Sequence, residues 1–158
     1  MDFIRNEIER IVKEHQIDRR SFFEVSKTSY EQIQRKTENT FVDKSKHWDA
    51  EIHWANLGNY NPKLSSVNVV MDDWSTWMAE LPNIIPSSDN SMYVLFEGDS
   101  KYWLYEAFLS ELIFILGEIN GLDDFYIVSK KFDWLISLNH HDVITYVGDN
   151  LKVNNTAV

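Results

Sequence analysis

The fold is decided by residues 91–148, which read SMYVLFEGDSKYWLYEAFLSELIFILGEINGLDDFYIVSKKFDWLISLNHHDVITYVG. Two aromatic and β-branched runs, 92–96 and 101–105, flank a turn at Glu97-Gly98-Asp99-Ser100. Strand formers on both sides of a short turn are typical of a β-hairpin. The opening of this stretch therefore predicts two antiparallel strands.

The end of the same stretch predicts three more strands. Residues 125–129 and 133–138 flank Lys130-Lys131 as a second hairpin, and residues 143–147 follow the corner formed by residues 139–142. Trp134, Ile136 and Leu138 alternate along their strand, so we expect these three side chains to share one face in the core.

Between the hairpins, residues 106–118 are apolar apart from one narrow polar stripe. A helix with so little polar surface must be covered on most sides. We therefore expect this helix to pack on one face of the sheet.

The N-terminal part predicts helices. Apolar residues recur at helical spacing over residues 2–15, which indicates an amphipathic helix. Ser21 with Glu24, and Thr28 with Glu31, each match a capping box, so a second helical stretch is predicted with a break near Lys27. Residues 37–66 give no clear pattern, and short mixed elements with loop are expected there.

A strand and a short helix are predicted before the aromatic stretch. Val67, Val69 and Val70 indicate the strand, and Asp73 is a suitable N-cap for a helix that Pro82 should end. The whole pattern predicts an α+β fold in which N-terminal helices precede a mainly antiparallel sheet of five or six strands, with one apolar helix packed on a face. We expect one domain over residues 1–151 and a disordered tail over 152–158.

Charge is distributed unevenly along the chain. Residues 1–36 carry eight basic and seven acidic residues, whereas residues 37–158 carry seven and eighteen. Such an acidic surface disfavours nucleic acid and anionic membranes and would attract a basic protein partner, although acidity for solubility alone is the simpler explanation of the composition. The chain has no cysteine, and its first twenty residues lack a continuous apolar run, so a cytoplasmic protein is expected.

His140-His141-Asp142 is the natural candidate for a metal or acid–base site. Adjacent strand residues point to opposite faces, so His140 and His141 should not converge on one ion, and a structural or partner-contact role is favoured. The histidines and acids of the His47–Trp54 segment match no zinc or diiron spacing. Asp123 and Asp124 precede a predicted strand, and we interpret them as ordinary polar residues of a loop between a helix and that strand. No metal and no cofactor are therefore predicted.

A second candidate cluster surrounds two tryptophans. Asp72 and Asp73 precede Trp74 and Trp77, and Glu80 follows on the same predicted helix. Aromatic anchors beside charges are typical of binding hot spots, whereas burial of both indoles in the core is the simpler alternative. Together with His140, His141 and Asp142, these five residues are the predicted partner-binding set; no catalytic residue is predicted.

The stretch FYIVSKKFDWLISLNHHDVITYVG resembles the C-terminal region of small acidic bacterial proteins, some of which are similar to immunity proteins encoded beside polymorphic toxins. The residues that carry the resemblance are Tyr126, Ile127, Val128, Asp133, Trp134, Leu135, Asn139, His140, His141 and Asp142. It covers about the last 60 residues. The resemblance implies a non-catalytic cytoplasmic binding protein that neutralises a basic toxin domain stoichiometrically. The alternative is a metal-dependent or acid–base enzyme that uses the His140/His141/Asp142 corner. The oligomeric state is left open.

Overall fold

A computed structural model of the chain describes residues 3–43, 60–98 and 101–153. These residues form four helices and one seven-stranded sheet. The elements in chain order are α1 Phe3–Glu14, β1 Phe22–Glu24, α2 Lys27–Phe41, β2 Ser66–Val70, α3 Trp74–Ile84, β3 Ser91–Gly98, β4 Lys101–Phe108, α4 Leu109–Glu118, β5 Phe125–Ser129, β6 Leu135–Leu138 and β7 Val143–Val147. The α+β prediction is confirmed.

The sheet is antiparallel throughout, and its strand order is β1-β4-β3-β5-β6-β7-β2. Both predicted hairpins and the strand after the Asn139–Asp142 corner are present. The sheet is larger than predicted because β1 also joins it. The Ser21–Glu24 capping box was therefore wrong: Phe22 pairs with Ala107 of β4 and is buried, so long-range strand pairing decides the structure of this segment.

The sheet is covered on both faces, because alternate side chains enter two separate apolar clusters. Val94 and Phe96 of β3 contact the cluster that α1, α3 and α4 complete, whereas Leu95 lies in the cluster on the side of α2. Trp134, Ile136 and Leu138 all belong to the first cluster, which confirms their predicted common face.

Two predicted helix boundaries need correction. Helix α4 begins at Leu109 instead of residue 106, because residues 106–108 still pair with β3 and β1 as part of β4. Its apolar surface is less covered than expected, since Phe114 is exposed and contacts the His15 ring edge-on with 4.9 Å between centroids. Helix α3 continues past Pro82 to Ile84, where Leu81 and Ile84 are buried and the Ile85 N–H donates to the Leu81 carbonyl.

The second helical stretch is one helix rather than two. Helix α2 begins at Lys27 after the N-cap Ser26, so Thr28 lies inside its first turn and the proposed Thr28–Glu31 capping box is wrong. The helix continues to Phe41, and Val42 then forms an isolated bridge with Tyr60. The expected mixed structure over residues 37–66 is thus helical at its start, and the His47–Trp54 cluster lies outside the described residues.

The first two residues of the predicted tail, Lys152 and Val153, are ordered. The Lys152 N–H donates to the Ile84 carbonyl at 2.9 Å, and Val153 packs against the main core. Ordered packing therefore extends at least to Val153. Residues 154–158 lie outside the described part of the chain.

Candidate partner-binding site

The fold brings the two predicted clusters together. Strand β2 pairs with β7, and the Met71 N–H donates to the Asp142 carbonyl at 2.8 Å. Asp72 and Asp73 directly follow this contact, while His140 and His141 directly precede Asp142. Segments that are distant in sequence therefore form one surface.

A cleft of about 260 Å³ lies at this junction, and we call it the acidic cleft. Its apolar lining comes from Met71, Trp74, Ile119, Leu122 and Leu138. Its polar lining comes from Asp123, Asn139, His140 and Asp142. Apolar surface beside a few directed polar groups is the usual composition of a binding site.

The acids around the cleft differ from those in the N-terminal part. Across the described residues, the carboxylates of Asp72, Asp123 and Asp142 form no ion pair. Around α1 and β1, in contrast, acids are paired with arginines, for example Arg5 with Glu24 at 2.8 Å, Arg10 with Glu7 at 2.6 Å and Arg19 with Glu9 at 2.6 Å. The carboxylates beside the cleft therefore keep a negative charge that no described basic residue neutralises.

Asn139 shapes the corner. Its side-chain oxygen accepts from the His141 N–H at 2.9 Å and the Val143 N–H at 3.1 Å, and its carbonyl accepts from the Asp142 N–H at 3.1 Å. Asp142 has φ 60°, in the left-handed region that Asn and Asp tolerate better than most residues. Local side-chain chemistry thus fixes a tight turn between β6 and β7.

The predicted separation of the two histidines was wrong. His140 and His141 lie in the turn, where strand alternation does not apply, and their ring centroids are 4.1 Å apart. Both are exposed, so the pair presents two adjacent imidazoles beside the cleft.

Asp124 is a site residue that the sequence interpretation missed. It is 1% exposed, and its Oδ1 accepts from the His140 N–H at 2.8 Å while lying 3.1 Å from His140 Nδ1. A buried carboxylate on one imidazole nitrogen orients the ring and leaves Nε2 available to a ligand. The only sequence signal for Asp124 was an acid directly before a buried strand, and that pattern does not show that His140 is its hydrogen-bond partner.

The two tryptophans have different roles. Trp77 is 6% exposed, and its Nε1 donates to the Tyr146 hydroxyl at 3.0 Å, so the predicted direct partner contact by Trp77 is wrong. Trp74 is only partly buried and lines the acidic cleft, although its Nε1 donates to the Leu116 carbonyl at 3.2 Å. The two ring centroids are 5.5 Å apart, so the buried Trp77 ring packs against Trp74 and helps to hold it in place.

Asp73 and Glu80 complete the predicted set. Asp73 accepts from the Thr76 N–H at 2.8 Å and the Thr76 hydroxyl at 2.7 Å, and these bonds lower the pKa of Asp73. This confirms its prediction as an N-cap. Glu80 is exposed on α3 and lines a different groove, beside β2. The structure thus separates Glu80 from the acidic cleft.

A family model described as "Family of unknown function (DUF6756)" matches residues 1–157. The chain belongs to this family. No curated protein and no solved structure matches this DUF6756 member.

Two kinds of feature are absent from the part of the DUF6756 chain that the structure describes. Within residues 3–43, 60–98 and 101–153, no three His, Asp or Glu side chains are grouped so that they could hold a metal ion. None of the helices in that part of the chain has the length and apolar character needed to span a bilayer.

Proposed function

We propose that this protein is a non-catalytic cytoplasmic binding protein whose acidic cleft docks a basic protein partner. Its resemblance to small acidic bacterial proteins, some of which are similar to immunity proteins, makes a toxin domain the expected partner, neutralised by stoichiometric binding. The observation that carries the proposal is the unpaired charge of Asp123 and Asp142 within the cleft lining. Asp72, which is exposed and directly follows the lining residue Met71, adds a third unpaired carboxylate.

Charge and apolar surface would act on different steps of binding. Unpaired carboxylates attract a basic surface at long range, which raises the association rate and makes it sensitive to salt. Trp74 offers a large apolar ring that is already fixed by its bond to Leu116, so little conformational entropy is lost when a partner covers it. The cleft therefore combines electrostatic steering with a rigid anchor.

The test is co-expression with the product of the neighbouring gene where that product is a basic domain that stops growth. We expect the wild type to restore growth and to form a one-to-one complex. Asp72→Lys and Asp123→Lys should each lose protection. Asp73 is left unchanged because it caps α3. Glu31→Lys is the matched control, since Glu31 is exposed on α2, which packs on the other face of the sheet. If the cleft variants protect as well as Glu31→Lys, the cleft is not the docking surface.

A metal-dependent or acid–base enzyme remains the alternative, and the Asp124–His140 pair favours it. An imidazole held by a buried carboxylate has the orientation that a general base needs. Stoichiometry separates the two functions: an enzyme would inactivate an excess of toxin over time, whereas a binder stops at one equivalent. A turnover-dependent loss of toxin that disappears in His140→Gln would replace the binding proposal by the enzymatic one.

A further inference from the structure

Strand β2 is one edge of the sheet, and its outward backbone groups have a regular pattern. The Met71 N–H bonds to the Asp142 carbonyl, and the Gly148 N–H bonds to the Ser65 carbonyl, each at 2.8 Å. These two contacts set the register, so odd-numbered residues face β7. Ser66, Asn68 and Val70 therefore direct their N–H and C=O groups away from the sheet. Within the described residues no strand pairs with this edge.

Within the described part of the chain, this edge lacks the usual protection against pairing. The strand reads SVNVV and contains no lysine, proline or glycine, and Val69 and Val70 are 39% and 68% exposed. Natural edge strands are normally blunted by charge, proline or a bulge. An unprotected edge with exposed valines is suited to accept another strand.

A groove of about 540 Å³ runs beside the same strand. Val67, Val69, Ile84 and Tyr146 contribute apolar surface, and Glu80 contributes a carboxylate. Side chains that alternate along an added strand would enter such a groove, while the backbone would pair with β2.

The charges around β2 select the occupant. Two acids, Asp72 and Asp73, follow the strand at the end where the Met71 N–H bonds to the Asp142 carbonyl. Asp149 lies at the other end, where it accepts from the Ser65 hydroxyl. Lys152 is the basic residue of the groove lining. A second copy of this chain would bring the same acids against these ends, so an extended basic segment is the complementary occupant.

We propose that β2 receives an extended basic segment of a partner protein as an eighth strand of the sheet. The inference deepens the proposed function and rests on it, since Met71 directly follows the end of β2 at Val70 and lines the acidic cleft. Backbone pairing along β2 would provide affinity, and the acids at its ends would select basic side chains.

The test is an NMR titration of the full chain with a short synthetic peptide of alternating lysine and valine. We expect the amides of Ser66, Asn68 and Val70 to shift and to exchange more slowly, and a twin peptide with glutamate in place of lysine to give no shift. Val70→Pro removes one outward N–H and should weaken binding about tenfold. Val70→Thr keeps that N–H and the strand-forming shape, so it should bind like the wild type.

Three outcomes would overturn the inference. Shifts confined to the acidic cleft around Trp74, with Val70→Pro equal to Val70→Thr, would leave the cleft as the docking site but exclude strand addition. Equal binding of both peptides would exclude selection by charge. A wild-type dimer that Val70→Pro dissociates would make a second copy the occupant. The proposed function fails separately, through protection that does not depend on Asp72 and Asp123.

Discussion

Replacement of Trp134 by Ala tests the assignment of the core. Trp134 is fully buried and lies with Ile136 and Leu138 in the cluster under α1, α3 and α4. Truncation of a buried tryptophan removes its transfer free energy and leaves a cavity, and such changes cost about 3 to 5 kcal/mol. A further contribution comes from the bond that Trp134 Nε1 donates to Asp89 at 2.9 Å. The loss is a large part of the 5 to 15 kcal/mol, roughly, that stabilises a typical domain.

Urea unfolding followed by far-UV circular dichroism measures this loss without interference from the other five tryptophans. With a urea m-value of about 2 kcal/mol/M, the midpoint should fall by about 2 M. Trp134→Phe should lose less, because it keeps most of the apolar volume and gives up the bond to Asp89. Trp103→Ala is the control at a partly buried tryptophan and should lose less than Trp134→Ala. A midpoint for Trp134→Ala within error of the wild type would refute the packing argument.

Three further predictions concern single features. Asp73→Ala should lower the thermal midpoint near neutral pH, and its difference from the wild type should shrink in acid. The pKa of Asp73 is lowered in the fold, so its contribution is present above the unfolded-state pKa and is lost as pH falls through the folded value; a constant difference would contradict this. Gly148→Ala should lower the free energy of unfolding by about 1 to 3 kcal/mol, because φ is +105° and a Cβ would clash with the Asp133 carbonyl oxygen. Gly117→Ala inside α4 is the control: its Cβ would meet only Met78 at 3.8 Å, so the change should be neutral or stabilising. Calorimetry measures both variants. The purified protein should contain no stoichiometric zinc, iron or manganese by elemental analysis; about one ion per chain that is lost in His140→Ala would overturn that prediction.

Sequence patterns predicted the C-terminal strands well because the burial of each strand is reflected in its own run of apolar and β-branched residues. In β5 all five residues are buried, and the run Phe125–Ser129 is bounded by acids on one side and lysines on the other. The same local logic identified Asp73 as an N-cap. Of the predicted partner-binding set, Trp74, His140 and Asp142 line the cleft, whereas Trp77 is buried. The sequence interpretation did not include Asp124, which holds His140.

The sequence by itself determined where strands, turns and the N-cap occur, since alternation, turn residues and capping depend on neighbours within a few positions. Only the tertiary structure decided what depends on distant partners. Pairing with β4 makes a strand of Phe22–Glu24, and the extension of β4 delays the start of α4 to Leu109. The pairing of β2 with β7 joins Asp72 to the Asn139–Asp142 corner and leaves Val70 at an open edge. Such contacts join residues separated by tens of positions, and no local pattern specifies which segments will meet.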